Sequence, residues 1–439
     1  MRLSRRRFLE ASGLAALATT LPGCGSAILP EPDVSAPGFG EKGAGTVQMW
    51  CRGGAIGAAL QTAADQFHTT QDRLHVVVTP VPDAQYVTKL ATAIRGERVP
   101  DLVDMDDINS MLFIYRDAFT DLTPLVQALP YRDVLSPGHM RLATRDGRTY
   151  GVPSLADNSL LWYNTDLLEK AGVDPTTSLQ DFDGLLDAAG RIRRLGDGIY
   201  GWSIGGNSPG IQGFVVQPHV WATGTDHIKG RIGSQSGNIE GNEPLRRTLE
   251  FYRALWTEDI LPRANFADNG STWGADFRAG TIGFFPASYS PAVLAADEAA
   301  QKRTGVVLLC GPDGGSSFFD GGDNLCIPRG AKNASGAWEF AKFLLDVPPQ
   351  QALPEGGFTP IRSDAATRDF ATKYPLVTAP LENIDKGYAP VTLSYNSLFN
   401  QADSPFGQMF RRAVFDGDVD AAISEGQHGF DTILTQAQS

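Results

Sequence analysis

Between residues 46 and 105 the chain switches its hydrophobic period again and again, and this alternation restricts the fold more than any other feature. Thr46 to Cys51 reads as a strand, and Gly53-Gly54 breaks it. Ala58 to Thr69 has the 3.6-residue period of a helix. Leu74 to Val81 is rich in β-branched residues, the pattern of a strand buried on both faces. Tyr86 to Arg95 is helical again, and Pro100 precedes a short strand at Asp101 to Met105. Strand–helix–strand–helix–strand at this spacing predicts a parallel α/β domain. Ligands of such sheets sit outside the carboxyl ends of the strands. Those ends carry Trp50-Cys51-Arg52, Pro82-Asp83 and Asp104 to Asp107.

The first residues say where the chain works. Ser4-Arg5-Arg6-Arg7-Phe8-Leu9 is a cationic head, and an apolar stretch runs from Leu9 to Leu21. Roughly 13 residues are too few to span a bilayer as a helix. The head resembles a twin-arginine export signal, and Leu21-Pro22-Gly23-Cys24 resembles a bacterial lipobox. Residues 1–23 are then a signal peptide. Cys24 carries lipid, and 24–45, rich in Gly and Pro, is a lipidated flexible tether. The expected location is the outer face of the cytoplasmic membrane. A signal cut nearby to release a soluble protein, or kept as an anchor, is the alternative.

At 439 residues the chain is too long for one core. Its formal charge is −13, and removing the arginine-rich head makes it more acidic still. That balance excludes nucleic acid as a partner and an electrostatic grip on membranes, so lipid contact is left to Cys24. With Cys24 lipidated, Cys51, Cys310 and Cys326 remain, enough for one disulfide at most. Cys310–Cys326 is the expected pair if one forms, since both lie at or near strands flanking a Gly-rich loop. There is no Cys-x-x-Cys, and the six histidines never fall at metal-ligand spacing. Neither zinc nor any other cofactor is expected.

Longer motifs run through the rest of the chain. Arg148-Thr149-Tyr150-Gly151-Val152-Pro153 precedes Leu160-Leu161-Trp162-Tyr163-Asn164-Thr165-Asp166-Leu167-Leu168. Ala171-Gly172-Val173-Asp174-Pro175 and Ser178-Leu179-Gln180-Asp181-Phe182 follow. Phe277-Arg278-Ala279-Gly280 enters a strand. Gly321-Gly322-Asp323-Asn324-Leu325-Cys326 precedes a helix at Ala337 to Leu344, and Gly357-Phe358-Thr359-Pro360-Ile361-Arg362 makes a late turn. In this order the motifs resemble the extracellular solute-binding proteins of ABC importers, in the cluster that binds maltose, other sugars and glycerophosphodiesters. An amino-sugar or oligosaccharide-binding lipoprotein of mycobacterial type is the narrower resemblance. It implies an α/β two-lobed periplasmic-binding-protein fold with three interlobe crossings and a ligand cleft that closes by hinge motion. The crossings fall near 154–157, 318–322 and 365–371. Lobe 1 is then 46–155 with 322–366, and lobe 2 is 156–321 with 367–439. The resemblance further implies a monomer that is not an enzyme, with a small carbohydrate ligand and an ABC importer permease as partners.

Three catalytic-looking motifs fail on context. Gly38-Phe39-Gly40-Glu41-Lys42-Gly43 fits a dinucleotide loop but precedes the first strand instead of following it. Gly201-Trp202-Ser203-Ile204-Gly205 fits a nucleophile elbow, yet loop residues follow where a helix must start. A lipid-anchored hydrolase using Ser203 is the rival from another class. Asp416-Gly417-Asp418-Val419-Asp420 begins like a calcium loop but lacks the sixth-position glycine, so it reads as an acidic helix N-terminus.

A sugar has apolar faces that stack on rings and polar edges that need carboxylates, amides and arginine. From the strand ends come Arg52, Asp83, Tyr86, Asp106 and Asp107, with one of the two last aspartates expected to cap a helix. Asp157 and Asn158 stand at the first crossing. From the second lobe come Trp202, Trp221, Trp273, Ser288 and Tyr289, and Gly322 offers a backbone contact. The resemblance adds Tyr395, with Phe399, in a loop that supplies a stacking ring in maltose binders. It also adds Arg362, where glycerophosphodiester binders place a cation. Trp338 and Phe340 sit at core spacing and are assigned to packing.

Overall fold

A computed structural model describes residues 29–438. The expected signal and the Cys24 lipidation site lie outside the described residues. The elements that position the cleft are, in chain order, β1 (Gly45–Arg52), α1 (Gly54–Thr70), β2 (Leu74–Val81), α2 (Asp83–Arg95), β3 (Leu102–Asp106), α3 (Asp107–Ile114) and α4 (Pro137–Leu142). They continue as β4 (Val152–Asn164), β5 (Tyr200–Trp202), α5 (Pro209–Trp221), α6 (Glu243–Thr257), β6 (Ile282–Ser288), β7 (Gly314–Cys326), α7 (Ala334–Leu345) and α8 (Val419–Gln438).

The main path of the sheet is β2-β1-β3-β7-β4-β6-β5. β1 pairs in parallel with β2 and β3, as the alternating pattern requires. β4 and β7 are each 13 residues long and pair antiparallel, and β4 carries on to pair with β6. These two strands tie together two sets of hydrophobic clusters. One is built mainly from residues 47–156 and 325–361, the other mainly from 160–319 and 370–434. The chain passes between the sets along β4, along β7, and again between Ile361 and Phe370. Trp338 and Phe340 are buried on α7.

Local chemistry sets the helix ends nearest the junction. The Asp106 carboxylate accepts the Asn109 N–H and starts α3; Ser136 accepts the His139 N–H, with Pro137 opening α4. Asp418 caps α8 in the same way, so the acidic run at 416–420 begins a helix.

Two expectations are corrected. Residues 29–44 are not a free tether. Gly330 N–H donates to the Pro30 carbonyl, Glu31 pairs with Arg329, and Gly40 and Gly43 donate to Ser335 and Glu339. Leu29 is buried, and Phe39 packs on the first core. The Cys310–Cys326 disulfide is absent: Cys51, Cys310 and Cys326 are all free and buried. Cys310 lies opposite Ser316, and β7 runs on from there to Cys326, roughly 30 Å at the rise of a strand.

Candidate functional site

Where β4 and β7 pass from one half to the other, their apolar sequences are interrupted by polar residues. Register sets Gly322 opposite Ala156, Gly321 opposite Asp157, and Asp320 opposite Asn158. Asp106, at the end of β3, faces Asp323 of β7, and Ser288 of β6 faces Ser159 of β4. The carboxyl ends of β1 and β3 thus meet the middle of the two long strands. Six aspartates gather there: Asp104, Asp106, Asp107, Asp157, Asp320 and Asp323. Arg52 and His139 are the cations set among them.

Arg52 grips Asp323 with two nitrogens, Nε at 2.9 Å from Oδ2 and Nη2 on Oδ1. Its Nη1 lies 4.0 Å from Asp106 Oδ2. A fork on a carboxylate is the strong form of this pair. Asp106 remains partly exposed, and burial raises its pKa against the pull of Arg52. Asp104 is buried, accepts the Ser154 hydroxyl at 2.6 Å, and keeps Oδ2 unpartnered. Burial, then the nearby Asp323, hold it well above the usual carboxylate range.

Beneath the row lies a second assembly. His139 Nδ1 is 2.9 Å from Ser136 Oγ and 3.2 Å from Asp320 Oδ2. Its Nε2 is 3.8 Å from Asp107 Oδ2. Burial works against a charged imidazole, yet Asp320 and Asp107 raise its pKa to about 9. Asp320 also accepts the Ser136 hydroxyl and the Asn158 amide, the latter at 2.7 Å. Both Asp107 oxygens are buried without a hydrogen-bond partner, and burial drives that carboxyl well above its ordinary pKa. Asp157 is the partly exposed carboxylate of β4's middle. Burial raises its pKa, the Ser288 hydroxyl opposes the shift, and Oδ1 has no partner.

Aromatic rings border this row on the second half. Phe319, next to Asp320, lies 4.9 Å from Phe214, 5.8 Å from Trp221 and 6.0 Å from Tyr395. Trp221 packs on Tyr388 at 4.9 Å and donates Nε1–H to Asp226. Phe214 and Tyr388 keep part of their surface open.

The residues singled out from sequence fall into two groups. Arg52, Asp106, Asp107, Asp157, Asn158, Ser288 and Gly322 meet at the junction, with Asp83 exposed at the start of α2 and near enough to act on Asp106. The others are committed elsewhere. Trp202 is fully buried against Tyr252 and Phe284, with no face open to a ligand. Tyr86 is buried and donates its hydroxyl to the Trp50 carbonyl. Tyr395 is buried and accepts the Gln217 amide. Tyr289 packs beside Trp162, and Trp273 on Phe285. Arg362 turns inward to Asp364 and the Leu345 carbonyl, over the Tyr131 ring. Ser203 stands six residues ahead of Pro209, where α5 begins, so no nucleophile elbow forms.

Sequence reading passed over Asp320, Asp323, His139, Ser136, Phe214 and Phe319. A signal existed for the first two: acids inside an otherwise apolar strand are costly unless paired.

Known proteins share this arrangement. A family model for the bacterial extracellular solute-binding proteins matches residues 62–379. A putative binding protein of Brucella abortus (strain 2308) is 24% identical over 298 residues, covering 66% of this chain and 69% of its own. The sugar-binding protein MalE of Xanthomonas citri superposes with a TM-score of 0.78 at 21% identity, over 89% of this chain and 98% of that one. UgpB of Mycobacterium tuberculosis, solved with glycerophosphocholine, gives 0.70 at 21% identity, over 90% and 99%. With the model spanning most of the chain and the two-lobed α/β fold in common, this protein belongs to the bacterial extracellular solute-binding proteins, which bind a solute without transforming it.

Proposed function

We propose that this protein captures a sugar or oligosaccharide at the junction of its two halves and delivers it to an ABC importer, held at the membrane through a lipid on Cys24. The observation that carries the reading is the row of carboxylates bordered by half-exposed rings. Carboxylates accept sugar hydroxyls, and the rings suit the apolar faces. Arg52, Asp106, Asp157, Ser288 and the Gly322 backbone are the proposed polar contacts, with Phe214 and Tyr388 beside them. The lobes divide at residues 155–156, 321–322 and 366–367.

The ligand carries a cationic substituent, as an amino sugar does. Two cations stand among six aspartates, and the pKa values of Asp106, Asp107 and Asp157 are raised. Such carboxyls gain from an ammonium nearby. The glycerophosphodiester alternative would need a free cation, and Arg362 is already satisfied by Asp364 and a carbonyl.

Thermal-shift and calorimetric titration with neutral oligosaccharides, amino sugars and glycerophosphodiesters tests the proposal. Carbohydrates should raise the melting temperature, amino sugars most, without turnover. A shift by phosphodiesters alone would overturn the sugar reading.

A further inference from the structure

The packed segment at residues 29–44 fixes more than its own path. β1 begins at Gly45 and ends at Arg52, in the candidate site. In the same half, β7 runs the other way, from Asp323 at the site to Cys326. Gly45, Leu74 and Ile327 therefore mark the end of this half that points away from the cleft. Leu29 and Glu31 are fastened there. Leu29 lies against Gly330, Glu31 pairs with Arg329 at 2.9 Å, and the Asp121 N–H donates to Glu31 at 2.7 Å.

Only Gly25 to Ile28 separate this fastened point from Cys24. At full extension the five steps from Cys24 to Leu29 reach at most about 18 Å. We propose that the face of the first half around Glu31, Asp121 and Arg329 lies against the lipid bilayer, so that the anchored protein stands with this end down. The inference rests on lipidation at Cys24. The cleft, at the other end of β1, stands roughly 23 Å further from the membrane. A chain of the same length without these contacts would leave the protein free to tumble over tens of ångströms.

The chemistry of this face permits the approach. The protein is acidic, but Glu31, Asp117 and Asp121 each have an arginine partner here: Arg329, Arg145 and Arg148. A bilayer with anionic headgroups therefore does not meet a field of unpaired carboxylates.

Two single-cysteine probes test the orientation in the full lipoprotein, extracted from membranes and reconstituted into phosphatidylcholine vesicles with nitroxide-labelled headgroups. Lys332→Cys places a dye on the proposed membrane face, and Glu258→Cys places one at the end of α6 in the other half; both positions are exposed. The native Cys51, Cys310 and Cys326 are buried and resist labelling. The Lys332 probe should be quenched severalfold more than the Glu258 probe. A long Gly-Ser insertion after Ser26 should abolish the difference. Equal quenching in protein that floats with the vesicles would overturn the orientation and leave the anchor standing. Protein that does not float with vesicles at all would remove both.

Discussion

Gly322 leaves the space that His139 fills. A Cβ on Gly322 would sit 2.6 Å from His139 Nε2 and closer still to the Leu155 carbonyl oxygen. The backbone carbonyl cannot rotate away, and the imidazole is held by Ser136 and Asp320. Gly322 also has φ near +155°, where side chains are rare. Gly322→Ala should therefore cost at least about 2 kcal/mol in urea unfolding. Gly321→Ala should cost less, because its nearest neighbour at 2.8 Å is the Phe319 ring, which can turn. Equal costs would mean the strands adjust freely here.

His139 makes stability depend on pH. Its pKa is about 9 in the folded protein and near 6.5 when unfolded. A pKa raised by folding contributes stability that is complete below 6.5 and is lost as pH rises through about 9. The shift is worth roughly 3 kcal/mol. His219, buried beside the Cys310 carbonyl, moves the other way to about 4, so it is neutral in both states above pH 7 and does not blur this window. Urea midpoints should fall from pH 6.5 to 9.5 in the native protein, and His139→Gln should flatten the profile. A profile unchanged by that substitution would show that other groups drive it.

The parallel α/β half was legible in the sequence because its strands alternate cleanly with helices. Leu74 to Val81 is the strand as read, and the first helix begins only four residues earlier than its periodicity suggests. Asp106 as a helix cap followed from its place after a strand. The aromatic residues were harder, because Trp202 and Tyr395 have the same local sequence chemistry whether they line a cleft or fill a core. Only the tertiary neighbours decide: Phe284 and Tyr252 enclose one, Phe399 and Gln217 the other. The packed segment at 29–44 was missed for a related reason. Its Gly and Pro content reads as flexible, yet Gly40 and Gly43 are where the backbone must lie flat on Trp338 and Gly336.

The halves also meet away from the long strands. Asn396 donates its amide to the Asn109 side-chain oxygen at 3.0 Å, while Ile108 and Met111 of α3 join the core of the other half. Asn109 belongs to the helix that Asp106 caps, so this bond closes over the candidate site. Asn396→Ala should favour separated halves. One hydrogen bond contributes about 1 kcal/mol, so carbohydrate affinity should weaken about fivefold. Small-angle scattering of the free variant should give a larger radius of gyration than the native protein. Unchanged affinity and radius would show that the contact does not bias closure.

Asp157 is the most direct test of the polar half of the site. It occupies the middle of β4 opposite Gly321, its Oδ1 has no partner, and the Ser288 hydroxyl orients the group. The surrounding strand is buried, while Asp157 keeps an open face. That combination suits a carboxylate that accepts ligand hydroxyls or an ammonium. A hydrogen bond to a charged group contributes roughly 1.5–3 kcal/mol. Asp157→Ala should therefore weaken binding about ten- to a hundredfold. Stability should hold or rise slightly, since burial disfavours this charge in the free protein. If Asp157 serves only the fold, the pattern reverses, with a lower melting temperature and native affinity. Calorimetric titration and melting curves on the one variant separate these outcomes, and native affinity in a well-folded Asp157→Ala protein would take this residue out of the site.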